Sequence, residues 1–266
     1  LHNTLSDSKI KKKNSKKQSK KQSKKNSKKN SKKNSKKNSK KNSKRSINNF
    51  IKCIKEENIK YDDTKNIEIT LHYFDNIRGR VEAIKMLLFY LKINYKICLY
   101  DFSSWGKEKK DDKTVLNYIT LPVLETNNLV ISQSNAILYY LDNKFSQNNY
   151  DINDNTKSLM LLGIVEDIRL QWLKPIFSNK DEDKANFINN YLPSTLKNLE
   201  FLLNDNDYYI KNKPIYCDIA VFEILNSIEN VYGNYNLNKY AKLHNFYNNM
   251  YKVVKNYLNS RKVNAF

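Results

Sequence analysis

Leu121-Pro122-Val123-Leu124-Glu125-Thr126-Asn127-Asn128-Leu129-Val130-Ile131-Ser132-Gln133-Ser134-Asn135-Ala136-Ile137 is the stretch on which the rest of the chain is read. Two short apolar runs flank Asn127-Asn128, a pair that tolerates the left-handed backbone of a tight hairpin turn. Pro122 stands at the start of the first run, where a strand residue need not donate to the ladder. The second run leads into an apolar helical repeat at Ala136, Ile137, Leu138 and Leu141. The first N–H groups of a helix have no partner within it and its dipole is positive there. Gln133 and Ser134 at that end make a place suited to a carboxylate, although an ordinarily capped helix begins the same way.

Upstream, Ile67, Ile69, Leu71 and Tyr73 alternate with Glu68, Thr70, His72 and Phe74, the period of a strand. Arg78-Gly79-Arg80 then opens a helix over 81–92, with apolar residues at 81, 84, 87, 88 and 91. Residues 95–101 return as a strand, parallel to the first because a crossover helix joins them. Residues 102–120 form a polar loop that holds Trp105, and the Asn- and Asp-rich residues 143–155 read as a linker. From about 156 the pattern is helical. One long helix stops near Pro175, and others span 185–203, 218–228 and 239–258.

Charge is divided unevenly. Residues 1–45 hold 20 Lys and Arg against one Asp, which leaves 28 basic against 26 acidic residues in the other 221. Residues 12–43 are eight copies of Lys-Lys-(Asn/Gln)-Ser with no apolar residue, a composition that cannot offset the entropy of ordering, so the tail is expected to be disordered. It is either a solvated low-complexity expansion or a non-specific, salt-sensitive contact for polyanions. Residues 46–65 continue the tail as a linker, in which Ile47, Phe50, Ile51 and Ile54 make at most one short, loosely docked amphipathic helix.

No apolar window spans a membrane and no signal-peptide pattern follows Leu1. Three scattered cysteines suit a reducing compartment, and three histidines without ligand spacing give no metal site. His72 reads as an ordinary packed or surface histidine on the strand face opposite Tyr73.

Strand, helix, strand, proline-led hairpin and helix, with these residues in these places, resemble the soluble glutathione transferases that use a tyrosine: the sigma, mu, pi and alpha types and their protozoan relatives. The resemblance covers roughly residues 66–266. It implies an α/β plus all-α fold: a thioredoxin-like domain over 66–146, then an all-helical domain over 155–266. It also implies a cytoplasmic homodimer with no cofactor beyond glutathione as co-substrate, acting on hydrophobic electrophiles in detoxification, with haem or similar anions as further ligands. Tyr73 then holds the glutathione sulfur, and Gln133 and Ser134 hold the γ-glutamyl end. The backbone of Leu121, before a cis Pro122, pairs with the cysteinyl unit. Arg80, Trp105 and Lys109 serve the glycine carboxylate, and Asp167 reaches into the neighbouring subunit's site. Phe74, Tyr257 and Phe266 are candidates for the apolar pocket.

Three departures stand out. Four residues separate Tyr73 from Arg78, one more than the family's usual pattern, so alignment back from Arg78-Gly79-Arg80 would place Phe74 in the catalytic slot; the strand alternation selects Tyr73. Thr120 replaces a glutamine before Leu-Pro, and Ile215 replaces a Ser/Thr cap three residues before Asp218. The other function open to such a chain is a non-catalytic docking module of a translation or synthetase complex, where a lysine-rich extension would also fit.

Overall fold

The computed structural model describes residues 53–61, 68–103, 105, 120–203, 205–233 and 235–261. Its strands are β1 (Lys55–Ile59), β2 (Ile69–Phe74), β3 (Tyr95–Tyr100), β4 (Val123–Thr126) and β5 (Val130–Ser132). They form one sheet in the order β1-β3-β2-β4-β5. β2 and β3 are parallel, from Thr70↔Lys96 to Phe74↔Tyr100, as a crossover through a helix requires. That helix is α1 (Glu82–Tyr90), entered through a 3-10 turn at Gly79–Val81, and it buries Ala83, Ile84, Met86, Leu87 and Leu88. β4 runs antiparallel to β2 and β5 antiparallel to β4, and α2 (Ser134–Phe145) follows at once.

The helical half comprises α3 (Ile152–Ser178), α4 (Asp181–Asn186), α5 (Leu192–Leu203), α6 (Tyr216–Tyr232) and α7 (Ala241–Ser260). Residues Tyr216 to Ile228 of α6 are all buried, so this helix is the axis round which the others pack. The α1, α2 and α6 contacts join the two halves, and residues 50–266 form one compact unit.

The structure differs from the sequence reading in several places. Lys55–Ile59, within the segment expected to be disordered linker, pairs antiparallel with β3 from Lys55↔Leu99 to Ile59↔Tyr95. An edge strand needs only backbone pairing, so its charged sequence carries no apolar alternation to betray it. Its charges are matched: Lys55 pairs with Glu57 and Lys96 with Glu56, both at 2.6 Å. Ile47, Phe50 and Ile51 of the expected short helix lie outside the described residues.

The linker is shorter than 143–155, because α2 continues to Phe145 and α3 begins at Ile152. Asp151 caps α3 by accepting the Asp154 N–H at 2.8 Å, while Asp154 accepts the Asp151 N–H at 3.3 Å; polar residues that read as linker are helix caps. Pro175 does not stop α3 but lies buried within its final turns, and the helix ends at Asn179, whose left-handed backbone donates to the Pro175 carbonyl. The single helix expected over 185–203 is divided by a π turn at Phe187–Tyr191, just before Pro193, which has no N–H to continue the ladder. Asn127 and Asn128 are not left-handed; Thr126 closes the hairpin instead, its N–H donating to the Leu129 carbonyl at 2.8 Å and its hydroxyl oxygen accepting the Leu129 N–H at 3.2 Å.

Asp218 keeps its half of the helix-start motif despite Ile215. Fully buried, it accepts the Ile215 N–H and the Tyr209 N–H, each at 2.9 Å, and so ties the preceding loop to α6. Asp218→Ala would leave both donors buried without partners. We expect a loss of about 3 kcal/mol in urea unfolding, with Asp218→Asn recovering part of it through one remaining acceptor.

Candidate functional site

Register places the candidate residues together. Continuing the β2/β4 pairing one step beyond His72↔Val123 sets Tyr73 beside Pro122, and continuing Val123↔Ser132 sets Pro122 beside Gln133. Three neighbouring strands therefore bring Tyr73, Leu121-Pro122 and Gln133-Ser134 to one end of the sheet, the carboxyl end of parallel strands β2 and β3, where α/β sheets bind ligands. The Gln133 side-chain amide donates to the Thr120 hydroxyl at 3.3 Å, closing this corner. The Leu121-Pro122 peptide bond is cis, as the resemblance implied.

Gln133 adopts φ 74°, a conformation that non-glycine residues rarely take, at the step from β5 into α2. Backbone strain of this kind gathers at ligand sites. The exposed Gln133 and half-buried Ser134 thus stand at the first turn of α2, whose opening has no side-chain cap.

The Tyr73 ring is buried and its hydroxyl oxygen accepts the Arg80 backbone N–H at 3.1 Å. Glycine is needed opposite: Gly79 has φ +40°, and a Cβ there would come within 2.5 Å of the Tyr73 hydroxyl. The additional residue between Tyr73 and Arg78 is absorbed by Asn76, which is left-handed at φ 57°. The hydroxyl at the start of α1 thus belongs to Tyr73. Phe74 turns to the aromatic side, edge-on to Phe102 at 5.0 Å and to Trp105 at 5.9 Å between ring centroids.

Burial raises the Tyr73 pKa, opposed by the Arg80 N–H and by the charges of Arg169 and Arg80. The phenol therefore stays protonated at neutral pH, within a positive field. Gly79→Ala should displace the hydroxyl and strain the turn; we expect turnover to fall at least about tenfold, as for loss of one charge-assisted hydrogen bond, with far-ultraviolet circular dichroism retained.

The cations are arranged differently from expectation. Arg80 does not stand open for a glycine carboxylate: its Nε donates to Glu166 of α3 at 3.1 Å and its Nη2 also contacts that carboxylate, so a ligand would share it. Glu166 lies 3.9 Å from Arg169, which forms a buried ion pair with Glu223 of α6; Glu223 also accepts the Ser227 hydroxyl at 2.7 Å. Sequence reading missed this Arg80–Glu166–Arg169–Glu223 chain. Its one local signal was the spacing of Glu166 and Arg169, one helical turn apart.

Trp105 is buried against Tyr100, its ring centroid 5.2 Å away. Lys109 and Phe266 lie outside the described residues. Asp167 is exposed on α3. Phe74 and Tyr257 both line a cavity of about 270 Å³ between the turn after β2, the end of α7 and β1, whose walls also carry Glu57, Asp75, Arg78, Glu82 and Arg261. His72 is fully buried, 2.8 Å from the Tyr100 hydroxyl and 3.2 Å from Glu125, an ordinary packed histidine in agreement with its reading.

Residues 69–143 match the family model of the glutathione S-transferase N-terminal domain, and residues 166–261 match that of the C-terminal domain. The chain belongs to the glutathione S-transferase family. It is similar to the glutathione S-transferase of Plasmodium falciparum (isolate 3D7), 29% identical over 219 residues that cover 74% of this chain and 98% of that one. The Plasmodium yoelii yoelii glutathione S-transferase is 30% identical over 168 residues, 59% of this chain and 77% of the relative. Among solved structures, the Onchocerca volvulus Pi-class glutathione S-transferase superposes with a TM-score of 0.64 at 26% identity, over 73% of this chain and 93% of that one. The chain is thus a glutathione transferase of thioredoxin-like and helical halves, resembling protozoan, mu and pi members.

Proposed function

We propose that this transferase holds glutathione across the sheet end, keeps its sulfur as thiolate through Tyr73, and lets that thiolate attack hydrophobic electrophiles. The observation that carries the reading is the Tyr73 hydroxyl: its oxygen already accepts the Arg80 N–H, its pKa is raised by burial, and its own proton is available to a ligand. A phenol that stays protonated stabilises the sulfur anion by donating to it; it does not remove the thiol proton as a base. A free cysteine thiol titrates near 8.5, and lowering it by about two units is worth about 2.7 kcal/mol. One charge-assisted hydrogen bond, worth about 1.5–3 kcal/mol, supplies an amount of that size.

Gln133, Ser134 and the α2 N-terminus take the γ-glutamyl carboxylate, and the Leu121 backbone takes the cysteinyl unit. Trp105, Lys109 and a shared Arg80 serve the glycine end, and Arg80 with Arg169 lends the positive field. Phe74, beside the Tyr73 ring and edge-on to Phe102, offers an apolar surface for the electrophile. Exposed Asp167 is free to reach a second copy in a homodimer. The role we assign is cytoplasmic detoxification; no helix among the described residues is long and apolar enough to cross a membrane. The basic tail adds non-specific contacts with polyanions. The relatives named above are transferases, and no feature of the site favours the docking-module reading.

Retention of the folded chain on immobilised glutathione, with turnover of an aryl chloride, is the expected result. A folded protein that flows through unretained and inactive would remove the proposal.

A further inference from the structure

β1 brings two distant cysteines together. Cys53, just before β1, and Cys98, in β3, are thiols whose Sγ atoms lie within 4.8 Å of each other and of a Glu56 carboxylate oxygen. Glu56 pairs with Cys98 across the two strands, and the Cys98 thiol donates to Glu56 at 3.5 Å. Cys53 is partly exposed and Cys98 is buried. Two thiols and a carboxylate could also suggest a cation. The fourth neighbour decides against it: the Lys96 ammonium sits 2.6 Å from Glu56 and neutralises it. With its charge already matched, this carboxylate is a poor ligand for a metal ion, and the two sulfurs are left facing each other.

We infer that Cys53 and Cys98 form a redox-closed disulfide that fastens β1 to the edge of the sheet. The oxidant is a low-molecular-weight disulfide of the glutathione disulfide class. The Cys53 thiolate attacks one sulfur of glutathione disulfide, forming a mixed disulfide and releasing one glutathione. The Cys98 sulfur then attacks Cys53, forming the protein disulfide and releasing the second glutathione. The protein loses two hydrogens and two electrons, and the oxidant gains both. Partly exposed Cys53 is the entry thiol and buried Cys98 the resolving one. The bond closes the loop from residue 53 to 98, so opening of β1 loses most of its chain entropy. Fully buried Cys217 in α6 has no part in it.

The test is to equilibrate the full chain with glutathione and glutathione disulfide at varied ratios, then map peptides without reduction. The expected product joins the Cys53 and Cys98 peptides, is two hydrogens lighter, and leaves Cys217 reduced. Amide exchange over 55–59 should slow by at least about tenfold on oxidation. In Cys98→Ser, Cys53 should instead accumulate as the glutathione mixed disulfide, and Cys53→Ser should abolish both products. The inference is overturned if the native sequence stops at the mixed disulfide, if neither thiol reacts while the protein is folded, or if the pair binds one zinc ion that Cys53→Ser releases. None of these readouts depends on transferase activity.

Discussion

Tyr73→Phe should still bind glutathione but lose most of its ability to ionise it. The substitution keeps the buried ring and its contact with Phe74 at 5.4 Å, and removes the hydroxyl that accepts the Arg80 N–H. With that donor gone, the pKa of bound thiol, followed by thiolate absorbance against pH, should rise by about one to two units, and turnover at neutral pH should fall about ten- to a hundredfold. The sign follows from the charge state. The donor stabilises only the thiolate, so the variant reaches parental activity only when the pH is raised past the new pKa. Phe74→Tyr in the same background should not rescue it, because that ring lies against Phe102 and Trp105. Full activity in Tyr73→Phe would move the sulfur partner elsewhere.

Glu223→Ala should produce the largest loss of stability. Arg169 and Glu223 are both almost wholly buried and join α3 to α6, the pair of helices at the centre of the helical half. Removing the carboxylate leaves a guanidinium buried with only the more distant Glu166, and uncompensated buried charges of this kind cost about 3–5 kcal/mol. For a domain of this size the melting temperature should fall by about ten degrees. A double replacement of Arg169 and Glu223 by methionine should regain more than half of the loss, since the cost lies in the stranded charge. If Glu223→Ala melts within two degrees of the parent, the pair does not hold these helices together. Glu223 also raises the Tyr73 pKa, so Glu223→Gln should lower it slightly, in the direction opposite to Arg169→Met.

Legibility followed the range of the forces concerned. β2, α1, β3 and the hairpin were readable because each has its own periodicity, and the helical half because its apolar repeats recur over several turns. β1 was not, since its order comes from the backbone edge of β3, forty residues away, and leaves its side chains charged. Asp151 and Asp154 looked like linker because a cap has the composition of a loop. The tail's charge and repeats were plain from composition alone.

The candidate site divides in the same way. Residue types and spacing singled out Tyr73, Gln133, Ser134 and the Leu121-Pro122 pair, because a hydroxyl, a helix start and a proline-led strand each have a local signature. Tertiary structure decided which of the two adjacent rings faces the start of α1: the Tyr73 hydroxyl meets the Arg80 N–H, and Phe74 turns to Phe102 and Trp105. It also decided that Arg80 faces Glu166 and that Cys53 meets Cys98. Ion pairs and thiol contacts across elements depend on how helices and strands dock. That docking is set by the summed burial of many apolar side chains, which no single stretch of sequence records.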